Sequence, residues 1–128
     1  MDGRYVFRVD CRLEAAHEAV SIEPSSAETT VTVVRTAPEP GTDGWLFFRD
    51  TCWRGELSDP DYGRRLAEEW LEQPVESVSF RELQVDEAYF EAFKTAIADD
   101  LEAFNAENVD EVLSKYLGSS IRVRSDPD

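Results

Sequence analysis

The chain has 128 residues, 41% of them hydrophobic and 11% aromatic, which is enough to bury a hydrophobic core and argues against a disordered segment. Its 28 acidic and 13 basic residues give a formal net charge of −15. The acids are interleaved with apolar positions rather than collected in blocks, which excludes an acidic tail. We therefore expect one soluble domain that spans residues 1–128.

The basic residues are unusual because 11 are Arg and only two, Lys94 and Lys115, are Lys. In dilute buffer so many carboxylates repel one another and oppose the compact state. At about 1 M salt the Debye length falls to about 3 Å, so the repulsion is mostly screened. The composition is therefore typical of a salt-rich cytoplasm. Neither a signal-peptide pattern nor an apolar run of the ~20 residues in a spanning helix is present, so we expect a cytoplasmic protein without membrane association.

The first part of the chain shows three strand patterns. Residues 4–14 and 29–36 alternate apolar and polar side chains, which predicts two half-buried strands. Residues 15–27 end in Pro-Ser-Ser, and residues 37–44 hold two Pro and two Gly, so both are predicted loops. Residues 45–49, Trp-Leu-Phe-Phe-Arg, are apolar on both faces, which predicts a central strand.

A helix and a further strand follow. Asp59 and Pro60 form an N-cap followed by Pro at the first helical position, and the helix should end near Gln73, before Pro74. Residues 75–83 are predicted to be a strand. The inward face of the helix is predicted to carry Tyr62, Leu66, Trp70 and Leu71.

The last part of the chain predicts two more helices. Asp86 should cap the longest helix, which extends to about Asn105 with an apolar stripe at helical spacing. Asn108 and Glu111 form a capping-box pattern that opens a short helix, and Gly118 suits a position with positive φ after its end.

A short strand at residues 121–123 completes the order β-β-β-α-β-α-α-β. Because the strands precede the helices, we expect an α+β fold with a mixed or mainly antiparallel sheet. The sheet should have about five strands, with two long helices and one short helix on one face.

Arginine is concentrated on the predicted strands. Eight of the eleven arginines lie there: Arg4, Arg8, Arg12, Arg35, Arg49, Arg81, Arg122 and Arg124. Arg4, Arg8 and Arg12 share one face of the first strand and are suited to bind carboxylates or phosphates. The alternative interpretation is pairing with acids on neighbouring strands. Nucleic acid is a disfavoured partner, because this face offers Val6 but no aromatic ring for base stacking and the chain is acidic overall.

The densest mixture of polar side chains comprises Arg49, Asp50, Trp53, Arg54 and Glu56. One interpretation is the lip of a polar pocket for a small anion or a partner side chain. An enzyme would then use the two arginines as clamps and one of the two acids as general base. The other interpretation is a strand end held by Arg–carboxylate pairs, with the tryptophan closing the core.

No pattern in the chain predicts a catalytic residue, a metal site or a cofactor. His17, Cys11 and Cys52 match no zinc-ligand spacing. Asp59 and Asp61 begin a stretch that departs from the calcium-loop pattern at its later positions. The six glycines are scattered, so phosphate-binding loops are absent from the sequence.

Several stretches resemble the LWR-salt family of small haloarchaeal proteins. The Leu-Trp-Arg motif of that family corresponds to Cys52-Trp53-Arg54, with Cys in place of Leu. The segments 44–50, 75–83 and 116–121 are also similar to the family. The resemblance implies a haloarchaeal source, but it implies nothing about catalysis, because the family has no assigned activity. The Leu-to-Cys departure favours apolar packing at position 52.

Taken together, these patterns favour a non-enzymatic binding or protein-interaction domain. An enzyme acting on a small anionic substrate and an RNA-binding accessory protein are the alternatives, so whether the chain is an enzyme stays open at this point. The protein partner is unknown, and homodimerisation is also left open. An extended open sheet face would favour association with another protein.

Overall fold

The structure, a computed structural model, describes the backbone of residues 1–14 and 26–124 and the side chains of residues 1–11 and 29–124. Most of the predicted loop at 15–27, including His17, lies outside the described residues. In chain order the elements are β1 (Gly3–Glu14), β2 (Ser26–Thr36), α1 (Phe47–Thr51), β3 (Cys52–Trp53), β4 (Glu56–Leu57), α2 (Pro60–Leu71), β5 (Val75–Asp86), α3 (Glu87–Ala98), a 3-10 helix (Leu101–Phe104), α4 (Val109–Val112), a π-helical turn (Leu113–Leu117) and β6 (Ile121–Arg124).

The main sheet has four strands in the order β2-β1-β5-β6. β1 pairs antiparallel with both β2 and β5, whereas β6 pairs parallel with β5. β3 and β4 form a separate two-stranded hairpin. The predicted α+β class and mixed sheet are confirmed, with four strands in the main sheet instead of about five.

The helices pack on one face of the sheet, as expected from the alternation in the strands. On β1 the buried side chains are Tyr5, Phe7, Val9 and Cys11. Aromatic rings fill the space between this face and the helices. The Phe48 ring lies at the centre of this layer, with ring centroids 4.8 Å from Phe93 and 5.6 Å from Phe104. Such ring pairs stabilise a core beyond their apolar area.

The predicted central strand at residues 45–49 is wrong, because Phe47–Thr51 is the short helix α1. Trp45, Leu46 and Phe47 are half-buried and Phe48 is fully buried, so the segment is apolar on all sides without being in a sheet. A short apolar run in a strand and one in a buried helix have the same sequence pattern. Arg49 therefore lies on a helix, and the predicted order with three leading strands is also wrong.

The predicted long helix to Asn105 is also wrong in its second half. The helix α3 begins at the predicted cap, where Asp86 Oδ1 accepts a hydrogen bond from the Tyr89 N–H at 2.7 Å. It ends at Ala98, and Asp100 leaves helical geometry with φ −144° and ψ 46°. The 3-10 helix then redirects the chain so that Phe104 is buried. Aspartate is a poor helix former because its side chain competes for nearby backbone groups.

The α2 helix begins at its predicted cap, Asp59, but its inward face is shifted. Its fully buried residues are Gly63 and Ala67, while Tyr62 is 43% exposed. A Cβ atom at Gly63 would lie 2.7 Å from the Leu57 side chain, so the small residues allow close approach of the helix.

Candidate functional site

The residues between Arg49 and Glu56 form most of α1 and the β3–β4 hairpin. Trp53 pairs with Glu56 across a two-residue turn. Both turn residues have positive φ, 53° at Arg54 and 84° at Gly55, which is the signature of a type I′ turn. Glycine adopts this conformation readily, whereas a left-handed conformation at arginine costs roughly 1–2 kcal/mol.

Two backbone hydrogen bonds offset the strain at this turn. The N–H of Arg54 donates to the carbonyl of Lys115 at 2.9 Å, and the N–H of Gly55 donates to the carbonyl of Tyr116 at 3.0 Å. These carbonyls belong to the π-helical turn, at a helix end where carbonyls lack partners within the helix. The hairpin therefore caps the helical segment that precedes β6.

The tip of the hairpin fits closely against the chain segment after the π-helical turn. A Cβ atom at Gly55 would lie 2.7 Å from Ser120 Oγ and 3.0 Å from the carbonyl oxygen of Leu117. Glycine is therefore required at this position both by its φ and by the space around it.

Arg49 and Asp50 bind each other and the protein backbone. The Nε of Arg49 donates to Asp50 Oδ1 at 2.9 Å, and a terminal N–H of Arg49 donates to the Ala103 carbonyl at 3.3 Å. These contacts connect α1 to the 3-10 helix. Arg49 and Asp50 therefore pair with each other, as in the interpretation of this segment as one held by Arg–carboxylate pairs.

Trp53 does not close the core, because 44% of its surface is exposed. Its ring packs edge-on against Tyr116 with centroids 5.8 Å apart, and the Arg54 guanidinium lies 5.9 Å from the ring centroid. The neighbouring Cys52 is buried, as apolar packing at that position implies. Burial raises the pKa of the Cys52 thiol to about 12, so it stays protonated at neutral pH.

Glu56 lies apart from the other acid of this segment. It lines a groove of about 520 Å³ between the hairpin and β5, together with Arg81 and Ser120. In the described part of the chain, no hydrogen bond or ion pair joins Glu56 to Arg49 or Arg54. The two clamps and two acids of the enzyme hypothesis are therefore not assembled as one catalytic group.

Of the second predicted set, Arg4, Arg8 and Arg12, the first two lie on the side of the sheet away from the helices. Strand register places one layer of side chains on this side, which we call the open face: Thr30, Thr32, Val34 and Thr36 from β2, Arg4, Val6, Arg8 and Asp10 from β1, Ser77, Ser79, Glu82, Gln84 and Asp86 from β5, and Arg122 and Arg124 from β6. The side chain of Arg12 lies outside the described residues.

Side chains of the open face are half-buried by one another or exposed, and no described helix packs over them. Its most exposed apolar side chain is Val34, at 49%. No aromatic residue is among the members described. The open face is thus polar, with small hydroxyl side chains between the arginines.

Two arginines of the open face are held by polar neighbours. Arg4 Nε donates to Gln84 Oε1 at 2.8 Å, and the Gln84 amide donates to Glu82 Oε2 at 3.1 Å. The same Glu82 oxygen lies 3.2 Å from Arg122 Nε. The expectation of pairing across strands therefore holds for this part of the open face.

Asp10, a second acid of the open face, accepts hydrogen bonds mainly from hydroxyl groups, whereas the third, Asp86, caps α3 and lies 3.5 Å from the N-terminal ammonium. Thr30 Oγ1 and Ser77 Oγ donate to the two oxygens of Asp10 at 2.7 and 2.8 Å. These two hydrogen bonds hold the pKa of Asp10 below its usual value. Arg8 Nε is 3.9 Å from the carboxylate, too far for a hydrogen bond, and the Arg8 side chain is 56% exposed.

Arg124 is exposed as well, and no carboxylate of the described residues lies within 4.0 Å of it. Arg8 and Arg124 thus present guanidinium groups to the outside. By contrast, the stretch from Glu87 to Glu111 on the helix side carries eight acids and one base, Lys94. The fold therefore separates a positive open face from an acidic helix layer.

Two features of this geometry have weak sequence signals. The hairpin turn is Arg-Gly, whereas Asn-Gly and Asp-Gly are the pairs that signal a type I′ turn. Arg122 and Arg124 join Arg4 and Arg8 only because β6 lies next to β5, and this pairing depends on contacts distant in sequence.

Within the described residues, no group of three or more His, Cys, Asp or Glu side chains is placed to hold a metal ion. No described helix combines the length and apolar character required to span a membrane.

Among curated proteins and solved structures, none is similar enough to this chain to match it. A family model described as LWR-salt protein matches residues 1–127. Because this match covers nearly the whole chain, the protein belongs to the LWR-salt protein family.

Proposed function

We propose that the chain is a non-enzymatic protein-interaction domain whose open face docks on an acidic surface of another protein. One observation carries this proposal. The open face is four strands wide, uncovered among the described residues, and bears four described arginines against three acids, Asp10, Glu82 and Asp86, in a chain of net charge −15.

Arginine is well suited to such a contact. Its planar guanidinium matches a carboxylate in bidentate fashion and is more weakly hydrated than the lysine ammonium. Asp10 and Glu82 are engaged within the face, so Arg8 and Arg124 have guanidinium groups to offer to a partner. The hydroxyls between them add donors and acceptors without obstructing a flat approach.

The size of the open face supports a transient complex. At about 4.8 Å between strands and about 3.3 Å per residue, about seven residues from each of three strands and the short β6 cover on the order of 400 Å² in projection. A standard interface buries about 800 Å² on each partner. We therefore expect a partner that binds reversibly, or one that also contacts the edges of the sheet.

An acidic protein surface is a better partner for this face than nucleic acid. Modules that bind single-stranded RNA on a sheet use aromatic rings for base stacking, and the described members of the open face include none. The net charge of −15 also opposes the approach of a polyanion.

A salt-rich cytoplasm is the proposed environment. The acids outnumber the bases by 28 to 13, and those of the helix layer are largely exposed. Concentrated salt screens the repulsion between these separated carboxylates. It weakens a bidentate arginine–carboxylate contact with a partner much less, because the two groups are separated by no more than about the Debye length.

Co-purification at molar KCl tests the docking proposal. The double variant Arg8→Glu/Arg124→Glu should lose a partner that the wild-type chain retains, while the matched control Arg64→Glu/Arg65→Glu on α2 should keep it. Equal retention by both variants, or equal loss, would contradict docking through the open face.

A further inference from the structure

A second surface feature lies on the helix side of the sheet, among β2, α1 and α2. It is a cleft of about 360 Å³. We call it the aromatic cleft, and its main lining residues are Arg35, Thr36, Phe47, Tyr62, Leu66 and Trp70. A volume of this size lies at the lower end of the range for small-molecule sites.

Among the described residues that line the cleft, Arg35 is the charged one. Its guanidinium carbon lies 5.0 Å from the centroid of the Trp70 ring, so a cation–π contact holds the group in place. No carboxylate lies within 4.0 Å of Arg35 among the described side chains. The donor edges of this guanidinium are therefore available at an apolar cleft.

The cleft is built on paired and packed elements rather than on a free loop. Tyr5 and Arg35 are direct cross-strand partners of β1 and β2. The Phe47 ring packs edge-on against Tyr5 with centroids 4.8 Å apart. Burial raises the pKa of Tyr5 well above its usual value, so this lining group is a neutral phenol. A site supported in this way is preorganised.

We propose that the aromatic cleft binds a small planar aromatic monocarboxylate. The ring of the ligand would lie among Phe47, Tyr62 and Trp70, and its carboxylate would accept two hydrogen bonds from Arg35. One carboxylate matches the single guanidinium, whereas the net charge of −15 disfavours a polyanion such as a polyphosphate.

Calorimetric titration with 1-naphthoate at molar KCl tests this inference, with 1-naphthamide as the uncharged probe of the same shape. The wild-type chain should bind naphthoate at least about tenfold more tightly than naphthamide. The variant Arg35→Gln keeps a planar group over Trp70 but removes the charge, and it should lose that preference. The matched control Arg8→Gln, on the other face of the same sheet, should retain it.

A cleft-filling variant, Leu66→Trp, should weaken binding of both probes, and naphthoate should shift the indole NMR signal of Trp70 in the wild type. No binding at millimolar naphthoate, equal affinity for the two probes, or shifts confined to the open face would overturn the inference. Because the probes and variants concern the helix side, failure here is distinguishable from failure of the docking proposal.

Discussion

In the hairpin region, both arginines make contacts within the fold. Arg49 binds Asp50 and a carbonyl of the 3-10 helix, and the backbone of Arg54 forms a strained turn that caps a helix end. On the open face, Arg8 and Arg124 have exposed side chains, and the nearby acid Asp10 accepts hydrogen bonds from hydroxyl groups. The segment with the densest polar residues, 49–56, thus holds elements of the fold together. The exposed arginines, by contrast, come from strands that are far apart in sequence. The two regions differ because Arg49 has short contacts within the fold, whereas Arg8 and Arg124 of the open face have none, although their neighbours Arg4 and Arg122 do.

Salt should change the stability of the protein more than any single substitution. Both the hairpin and the open face depend on it, because neither forms unless the chain is folded. We expect the melting temperature to rise steeply between low and molar KCl as the repulsion among exposed carboxylates is screened. Thermal unfolding followed by circular dichroism measures it. A melting temperature that does not change over this range would remove the proposed salt adaptation.

The hairpin should be the region most sensitive to a single substitution. In Gly55→Ala, alanine would have to adopt a positive φ, and its Cβ would overlap Ser120 and Leu117. The substitution should therefore reduce the free energy of unfolding by about 3 kcal/mol. Gly41→Ala is the matched control, because φ there is +85° but no other atom lies within 4 Å of the added Cβ, and it should lose only about 1 kcal/mol. Denaturant unfolding at molar KCl measures both, and equal losses would show that the close contacts at the hairpin tip do not matter.

The open face should tolerate charge reversal with little change in stability. Arg8→Glu/Arg124→Glu removes no short internal contact, so the free energy of unfolding should change by less than about 1 kcal/mol. The same denaturant experiment measures it. A loss as large as that of Gly55→Ala would mean that these arginines have a structural role, and the contrast with the hairpin would disappear.

The smallest expected effect concerns Asp10. Because hydrogen bonds from Thr30 and Ser77 lower its pKa in the folded state, the stability it contributes is present above the pKa of an unfolded aspartate and is lost as pH falls through the folded value. Asp10→Asn should therefore flatten the acid limb of the stability–pH curve, below about pH 4. An NMR titration in which the Asp10 carboxyl shows a pKa at or above the usual value would contradict this account.

Local sequence signals predict much of the fold. Alternation identifies β1 and its buried residues, and the caps at Asp59, Asp86 and Asn108 are each used by the helix they were expected to open. These signals succeed because a cap or a strand face depends on residues within a few positions.

Predictions that depend on distant contacts are less successful. The segment at 45–49 is apolar because Phe48 is surrounded by rings from α3 and the 3-10 helix, and a sequence pattern does not distinguish this environment from a central strand. The aromatic cleft depends on Arg35 meeting Trp70, which are 35 positions apart. The face bearing Arg4 and Arg8 was predicted, but its extension to β6 required the strand order.

We propose that partner proteins contact the open face and not the hairpin or the helices. Site-specific photo-crosslinking at molar KCl tests it directly, with the photoreactive residue placed at Thr32, at Trp53 or at Glu69 in otherwise identical chains. If the partner docks on the open face, we expect a discrete adduct from position 32 and none from position 53 or 69. The adduct from position 32 should be absent when the chain also carries Arg8→Glu/Arg124→Glu. The same adduct formed with equal yield from position 53 or 69 would contradict it.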